Sequence, residues 1–588
     1  MPAPDGSAGT STVAASRPPT TYFSVWQRLF RGYGPVAVLA ALIVIVALAV
    51  PSKAPKNVAV VGAGPNGASS GTAGSGTGGS PGSGSSAAGT GSGSTGAGAA
   101  SSGGSSSGGS GTGASGGSAG QAGTAGHTVT IPGNTSACAG QTEQVPGDPY
   151  SPPCIAFSGS NGGATSEGVT GNNIVVSVRL TADQSFGQTL AQLAGAQLRD
   201  TNADNVRTIE ALAQYFNTHF QFYGRKIVIK TFNGQGSLSN ELLGYGQAQA
   251  EADATTAAKQ VGAFADLTAE SEPYATALEQ QGVMGFGDPY MPGYWHEDHA
   301  PYDWSLATDG TDLATAIGNY ADQKLCGGTA AYAGGSLKNQ PRKIAGIAPA
   351  NELYQVSATV FKQIMAAHGC SITNFSYTLD LGTESQQAEN LVAQLKAGGY
   401  TTIICGCDPI FPVYLTGQEA SQSYLPEFVE IGAALVDQDY VAQLYNQQAF
   451  AHAFGISPNE PTVPYTQTIG YEAYKTVDPT SEPAFFVNDI YLQMDMMAIG
   501  IEMAGPHLTP SAFQQGMFNY PPRLGPAGLW GFSKTQYTIP NDFREICWDP
   551  NSISPFNSKQ GAYVGTSNER WTASTIPSGP PGCPIPSS

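Results

Sequence analysis

From Asn173 onward the chain repeats one pattern: a short β-branched run, a turn signal, then an amphipathic stretch of helical period. The first run is Ile174–Leu180. A helical stretch from Thr189 to Phe220 follows, with Leu190, Leu193, Ile209, Leu212, Tyr215 and Phe216 at apolar positions. Lys226–Phe232 reads as the next strand, Gln247–Gln260 as a helix and Val261–Leu267 as a strand. Pro273–Gln281 then reads as a helix and Gly282–Gly287 as a strand. A second series starts after Asp309, with helices at Asp312–Lys324, Leu353–His368 and Gln386–Ala397. Its strands are Lys343–Ala348, Ser371–Tyr377, Thr401–Cys405 and Glu427–Ile431. Strands separated by helices pair in parallel through right-handed crossovers. The chain is therefore expected to be α/β, with two doubly wound parallel-sheet lobes.

In such sheets ligands gather in the crevice outside the carboxyl ends of the strands. That singles out the loops Thr181–Gly187, Asp266–Glu270, Asp288–Tyr290, Pro349–Tyr354, Asp408–Phe411 and Gly432–Asp437. The rule serves an enzyme as well as a binding protein, so the loop chemistry has to decide between them.

What precedes the lobes is of another kind. Glycine numbers 76 in the 588 residues, and most of the excess lies between Gly62 and Gly126. That tract carries no charge and no aromatic ring, so it cannot bury enough apolar surface to offset chain entropy. We expect a linker over residues 57–135 with an r.m.s. reach of roughly 45 Å. Ahead of it, Val36–Val50 is an unbroken apolar run. The uncharged stretch between Arg31 and Lys53, as a helix, reaches roughly 31 Å, enough for a hydrocarbon core. Residues 32–52 are thus expected to form a signal anchor, with residues 1–31 in the cytoplasm and the lobes outside it. Cleavage after Ala47-Leu48-Ala49 is the competing reading.

The net charge of −19 argues against a nucleic-acid partner, which calls for basic patches. Cysteine usage fits export: Cys138, Cys154, Cys326, Cys370, Cys405, Cys407, Cys547 and Cys583 make an even set, read as disulfides. Cys326 and Cys370 fall at the bottom of adjacent βα units and are expected to pair, as are Cys138 with Cys154 and Cys547 with Cys583. Cys405 and Cys407 are left to each other or to the tail.

Tyr294–Trp304 (YWHEDHAPYDW) gathers two histidines and three acids, but Pro292 and Pro301 argue for a loop with aromatic packing rather than a metal site. The methionine-rich stretch around Met494, Met496, Met497 and Met503 falls at helical spacing and reads as core. No nucleophile constellation stands out, and neither a metal nor a cofactor is expected.

GVTGNNIVVSV (Gly168–Val178), RKIAGIAPANELYQVSATVFKQIMAAHG (Arg342–Gly369) and QQAENLVAQLKAGGYTTIICG (Gln386–Gly406) follow one another in an order that resembles the type I periplasmic binding proteins of ABC transporters, the branched-chain amino-acid-binding branch. The resemblance covers about Gly168 to Pro555. It implies a Venus-flytrap over residues 136–567, closing on a solute, and a Pro/Ser-rich tail at 568–588. Lobe one would take about 168–305 and 460–520, lobe two about 306–457 and 528–555. It also implies ligand contacts from Thr181, Ser185, Phe186, Asp266, Thr268, Asp288, Tyr354 and Asp408. The family's first-lobe loop is rich in Ser and Thr, whereas here Asp266 and Glu270 flank Thr268. Asp266 and Asp408 approaching from opposite lobes would suit a small polar, neutral or cationic solute, such as an amino acid or an amide. Its partners would be an ABC permease or a membrane sensor. A secreted α/β enzyme and a structural surface protein on the same scaffold are the alternatives.

Overall fold

The chain divides into two units, Met1–Ala119 and Gly120–Ser588. A computed structural model describes residues 140–181, 200–287, 290–566 and 569–586, all within the second unit. The expected membrane helix and linker, together with Cys138, Ser185, Phe186 and Asp288, lie outside the described residues. Among the described residues no helix is long and apolar enough to cross a membrane.

Lobe one is built on a parallel sheet of five strands: β1 (Asn173–Leu180), β2 (Lys226–Asn233), β3 (Ala265–Asp266), β4 (Met284–Gly287) and β5 (Asp303–Ser305), in the order β2-β1-β3-β4-β5. Ile174, Val176 and Val178 of β1 are buried beneath the helices Asn202–His219 and Val487–Ala504. The first helix places Ile209, Leu212 and Phe216 on that face and starts from a capping box between Thr201 and Asp204. The second buries Met494, Met496 and Met497, as their spacing predicts. The other sheet face packs on small residues of Gln247–Thr255 and on Tyr274 and Leu278 of Glu272–Gln280.

Lobe two repeats the plan. β6 (Ile344–Pro349), β7 (Ile372–Tyr377), β8 (Thr402–Cys405), β9 (Glu427–Glu430) and β10 (Ala453–Ser457) run parallel in the order β7-β6-β8-β9-β10. After a small hairpin of β11 (Arg523–Gly525) and β12 (Gly528–Trp530), the chain returns to add β13 (Arg544–Ile553) and β14 (Gln560–Gly565) antiparallel at the far edge. Leu313, Ile317 and Phe361 cover one face of this sheet, and Leu391, Leu395 and Phe411 the other.

Several sequence expectations need correcting. β3 keeps only two residues, and the preceding helix runs on through a π-turn at Thr256–Val261 that ends on Gly262 at φ 69°. Tyr294–Trp304 is not a loop: Pro292 caps a short helix, Gly293–Asp298, and β5 follows. Residues 569–586, read as a tail, lie against lobe two. Trp571 exchanges backbone hydrogen bonds with Phe543, and Tyr332 Oη donates to Pro581 O at 2.7 Å. Disulfides join Cys326 to Cys370, Cys405 to Cys407 and Cys547 to Cys583, with Cα atoms 5.9, 5.2 and 5.6 Å apart. Cys154 is also disulfide-bonded.

Three segments cross between the lobes, and polar side chains hold them together. Thr308 Oγ1 donates to Pro540 O at 2.7 Å, and Asp309 N donates to Thr538 Oγ1 at 3.1 Å. Arg544 donates to Asn459 O and Glu460 O, both at 2.9 Å. Arg570 also reaches Asn459 O, at 3.2 Å, and pairs with Asp542 at 2.9 Å.

The interior holds an unusual set of acids. Glu384, Glu419, Glu430 and Asp495 are buried, and no donor meets either oxygen of any of them. Desolvation raises each above the ordinary carboxylate range, so the folded state holds protons that the unfolded chain releases. Their stabilisation is complete below the unfolded values and is lost as pH rises. Hydrogen-bonded surface acids such as Asp204, held at about 2, act oppositely and fail only in stronger acid. The melting temperature should therefore fall from about pH 5 to about pH 8. A melting temperature that climbs over this range in a calorimetric pH series would contradict the neutral-carboxyl reading.

Candidate functional site

Both sheets reverse their winding beside their first strands, between β1 and β3 in lobe one and between β6 and β8 in lobe two. A cavity of about 630 Å³ opens there, walled by the carboxyl ends of both sets of strands. Arg179–Thr181, Leu267 and Thr268 face it from lobe one, and Ala348, Pro349, Cys407 and Asp408 from lobe two. Phe486, Asp489 and Ile490 come from the helix that returns to lobe one. The size suits a small-molecule site, and most of the lining is apolar.

The lobes touch around this cavity. Tyr354, at the start of the lobe-two helix Glu352–Ala367, packs on the lobe-one cluster of Met291 and Trp295. Burial, with Glu272 nearby, pushes its phenol up to about 12. Across the cleft, Ala434 N donates to Tyr290 Oη at 2.9 Å. Tyr290 (φ 50°), Ala434 (φ 50°) and Leu435 (φ 68°) all hold left-handed backbone that costs a residue with a Cβ. Such strain collects at ligand clamps.

Thr181, Thr268, Tyr354 and Asp408 line the cavity. Two of these side chains are tied into their own lobes. Thr268 Oγ1 donates to Asp266 Oδ1 at 2.5 Å and accepts from Arg179 N at 3.0 Å. Asp408 accepts from Tyr377 Oη at 2.6 Å, from Ile410 N at 2.8 Å and from Phe411 N at 3.2 Å, at the entrance to the helix Phe411–Ser421. Burial raises its carboxyl against those bonds.

Asp266 requires a correction, since it does not face the cleft. It is fully buried on the sheet face covered by the helix Glu272–Gln280. Ser177 Oγ donates to it at 2.5 Å, Tyr274 Oη at 3.0 Å, and Thr268 gives both its amide, at 2.8 Å, and its hydroxyl. Every lone-pair direction has a donor. Desolvation nonetheless raises it.

The sequence reading missed Arg179, the one cation in the described wall. Its guanidinium forms two 2.9 Å bonds to Glu241, stands 3.5 Å from Asp253 and lies 3.6 Å over the Tyr274 ring. Also missed were three groups whose buried oxygens meet no donor: Ser357 Oγ, Asn374 Oδ1 and the Glu384 carboxyl. All three belong to residues lining the cavity. Desolvation, then Asp408, then Asp380 push Glu384 up to about 9. A charged residue ending an apolar strand was the available signal for Arg179. Glu384 opens a helix expected to begin at Gln386, so it resembled a solvent-facing acid.

No metal centre arises from the described histidines. His296 Nδ1 lies 2.5 Å from Asp303 Oδ2, and His299 stacks on Trp295. Asp322, Cys326 and Cys370 approach one another at metal-ligand distances, but the two sulfurs are joined in a disulfide.

No family model matches the chain, and no curated protein does. Among solved structures, it resembles the solute binding protein of an ABC transporter from R. palustris in complex with 4-hydroxybenzoate. That likeness has a TM-score of 0.50 at 12% identity, over 68% of this chain and 97% of that one. It also resembles an ABC transporter substrate binding protein from Aeropyrum pernix, with TM-score 0.49 and 13% identity over 69% and 97% of the two chains. A branched-chain amino acid transporter substrate binding protein from Streptococcus pneumoniae, in complex with isoleucine, gives TM-score 0.46 and 13% identity over 67% and 100%. At these identities the likeness is one of fold. The described lobes have the type I periplasmic-binding-protein architecture.

Glu384→Gln carries the neutral form permanently. Because the folded carboxyl titrates at about 9, wild-type stability is full below the ordinary glutamate range and is lost as pH rises through that value. The variant should match wild type in denaturant melts near pH 4 and gain on it progressively towards pH 9. A constant difference across that range would mean that Glu384 is ionised in the folded state.

Proposed function

We propose that this chain is an extracytoplasmic solute-binding protein that closes two lobes on a small molecule and releases it unchanged, to an ABC-type importer or a sensor. The observation that carries the reading is the cavity between the lobes, where the switch points of two sheets of like winding face each other. Contacts from both lobes around it give closure a source of energy, and segments clasped by Arg544 and Arg570 give it a hinge.

The apolar run at residues 32–52 and the Gly/Ser tract behind it support a single-pass tether that holds the lobes outside the cytoplasm. Disulfides in the described residues suit that side of the membrane. The solute is a small, neutral molecule. The cationic alternative loses support, because Asp266 faces its own lobe and Asp408 already accepts three hydrogen bonds. The R. palustris protein holds a carboxylate, 4-hydroxybenzoate. In the wall described here Arg179 is already neutralised by Glu241 and Asp253.

Thermal-shift screening of the full chain against amino acids, amides, polyamines, sugars and neutral aryl alcohols tests this reading. One class should raise the melting temperature by a few degrees at saturation, and Tyr354→Ala should abolish the rise. No shift with any class, or chemical turnover of the compound that binds, would contradict it.

A further inference from the structure

The cavity does more than fill the crevice at the strand ends. Asn374, Gly346 and Ile404 are register partners across β7, β6 and β8, so all three present the same sheet face. That face looks toward the helices Gly310–Lys324 and Glu352–Ala367. The cavity reaches Gly346 and Ile404 in mid-strand, and Ala314, Ile317 and Phe361 on the helices above. Except for the glycine these residues belong to the core of lobe two. The cavity is thus a crevice with an apolar recess running from it into the lobe.

Small residues keep the recess open, and polar atoms lie unused along it. Ala358 and Ser357 occupy the inner side of one helix, and Gly310 begins the other. A Cβ on Gly310 would come within 2.5 Å of Ser357 Oγ, and one on Gly346 within 2.7 Å of Asn374 Oδ1. The Asn374 amide is oriented by its own bond, since Nδ2 donates to Ala358 O at 2.9 Å. Its Oδ1 therefore faces away from that bond as a buried acceptor with no donor. Ser357 Oγ is likewise buried and unmatched, as is the whole Glu384 carboxyl near the crevice. Leaving such groups dry and unpaired is costly, so the arrangement fits an occupant that pairs them.

Charge narrows the occupant further. The described wall carries Glu270, Glu384, Asp408 and Asp489 against the single cation Arg179, which Glu241 and Asp253 already neutralise. A ligand carboxylate would enter with no countercharge. A ligand ammonium would have to lie along the apolar recess without water.

We propose that the site takes a neutral, elongated, mostly apolar molecule, whose body fills the recess of lobe two and whose hydroxyl or amide N–H donates to Asn374 Oδ1. The inference rests on the solute-binding reading and narrows its substrate class. Ser357 Oγ is placed to join the same polar group. The crevice, walled by both lobes, holds the other end, which couples filling of the recess to closure.

Calorimetric titration of the full chain in nanodiscs, with empty nanodiscs as blank, can separate the possibilities. The probes are phenylbutanol, phenylbutanoate and phenylbutylammonium, which differ only in the terminal group. Phenylbutanol should bind at least about tenfold more tightly than either ion, a difference of roughly 1.4 kcal/mol. Ala358→Phe, which obstructs the recess from its helical side, should remove that binding while the melting temperature stays within a few degrees. Equal or tighter binding of phenylbutanoate by wild type would overturn the neutral-ligand claim, whatever the variant does. Binding undiminished in a folded Ala358→Phe would overturn the recess. Binding of leucine but of no phenylbutyl probe would overturn this inference and leave the solute-binding reading standing. Failure of every phenylbutyl probe and every class in the thermal-shift screen would overturn both.

Discussion

Arg179 brings a positive charge to the carboxyl end of β1, and the fold neutralises it internally. Its guanidinium meets Glu241 twice at 2.9 Å and rests on Tyr274, while its amide holds the Thr268 hydroxyl. Burying an arginine charge is tolerable only when carboxylates neutralise it, as Glu241 and Asp253 do here, and removing Glu241 would leave most of that charge desolvated and uncompensated. The cluster consequently links β1, the loop after β3 and the helices Leu238–Leu242, Gln247–Thr255 and Glu272–Gln280 into one wall. With that cation committed, the described cavity wall has no second cation to meet an anion. The apolar character of its recess then governs what fits.

The hinge follows a related logic on the other side of the cavity. Arg544 and Arg570 are directed at backbone carbonyls of residues 458–460, and Asp437 accepts from the hydroxyl of Ser457. The carbonyls of a strand leaving a sheet need donors, and these side chains supply them without adding a further strand. Arg570 and Trp571 lie beyond β14, so the C-terminal segment contributes to the hinge and to lobe two alike. The Cys547–Cys583 disulfide holds that segment in place.

Much of this architecture was legible in the sequence because parallel strands buried on both faces leave short β-branched runs between helices. β1, β2 and β6 fall within a residue or so of their expected limits. β10 (AFGIS) was not legible, being short and rich in small residues. β13 was hidden by its polar DPNS bulge, where the register to β14 shifts. The post-strand rule found Thr268, Tyr354 and Asp408 as cavity residues, because topology alone sets where strands end. It misjudged Asp266 because side chains alternate along a strand and a shift of one residue turns a carboxylate from cleft to core. Asn374 lay in mid-strand and Ser357 inside a helix, so neither fell in a loop that the rule inspects. Their importance comes from lacking a partner, which only the packed structure reveals.

The central claim is that two sheets of like winding close on a ligand held between their switch points. The most direct measurement is the distance between the lobes, read by pulsed electron spin resonance from labels at the exposed Lys259 of lobe one and Lys362 of lobe two. The account predicts a broad distribution in the free protein that shortens and narrows when a binding compound saturates the cavity. A distribution unchanged at saturation would contradict it, because the cavity would then be filled without the lobes closing.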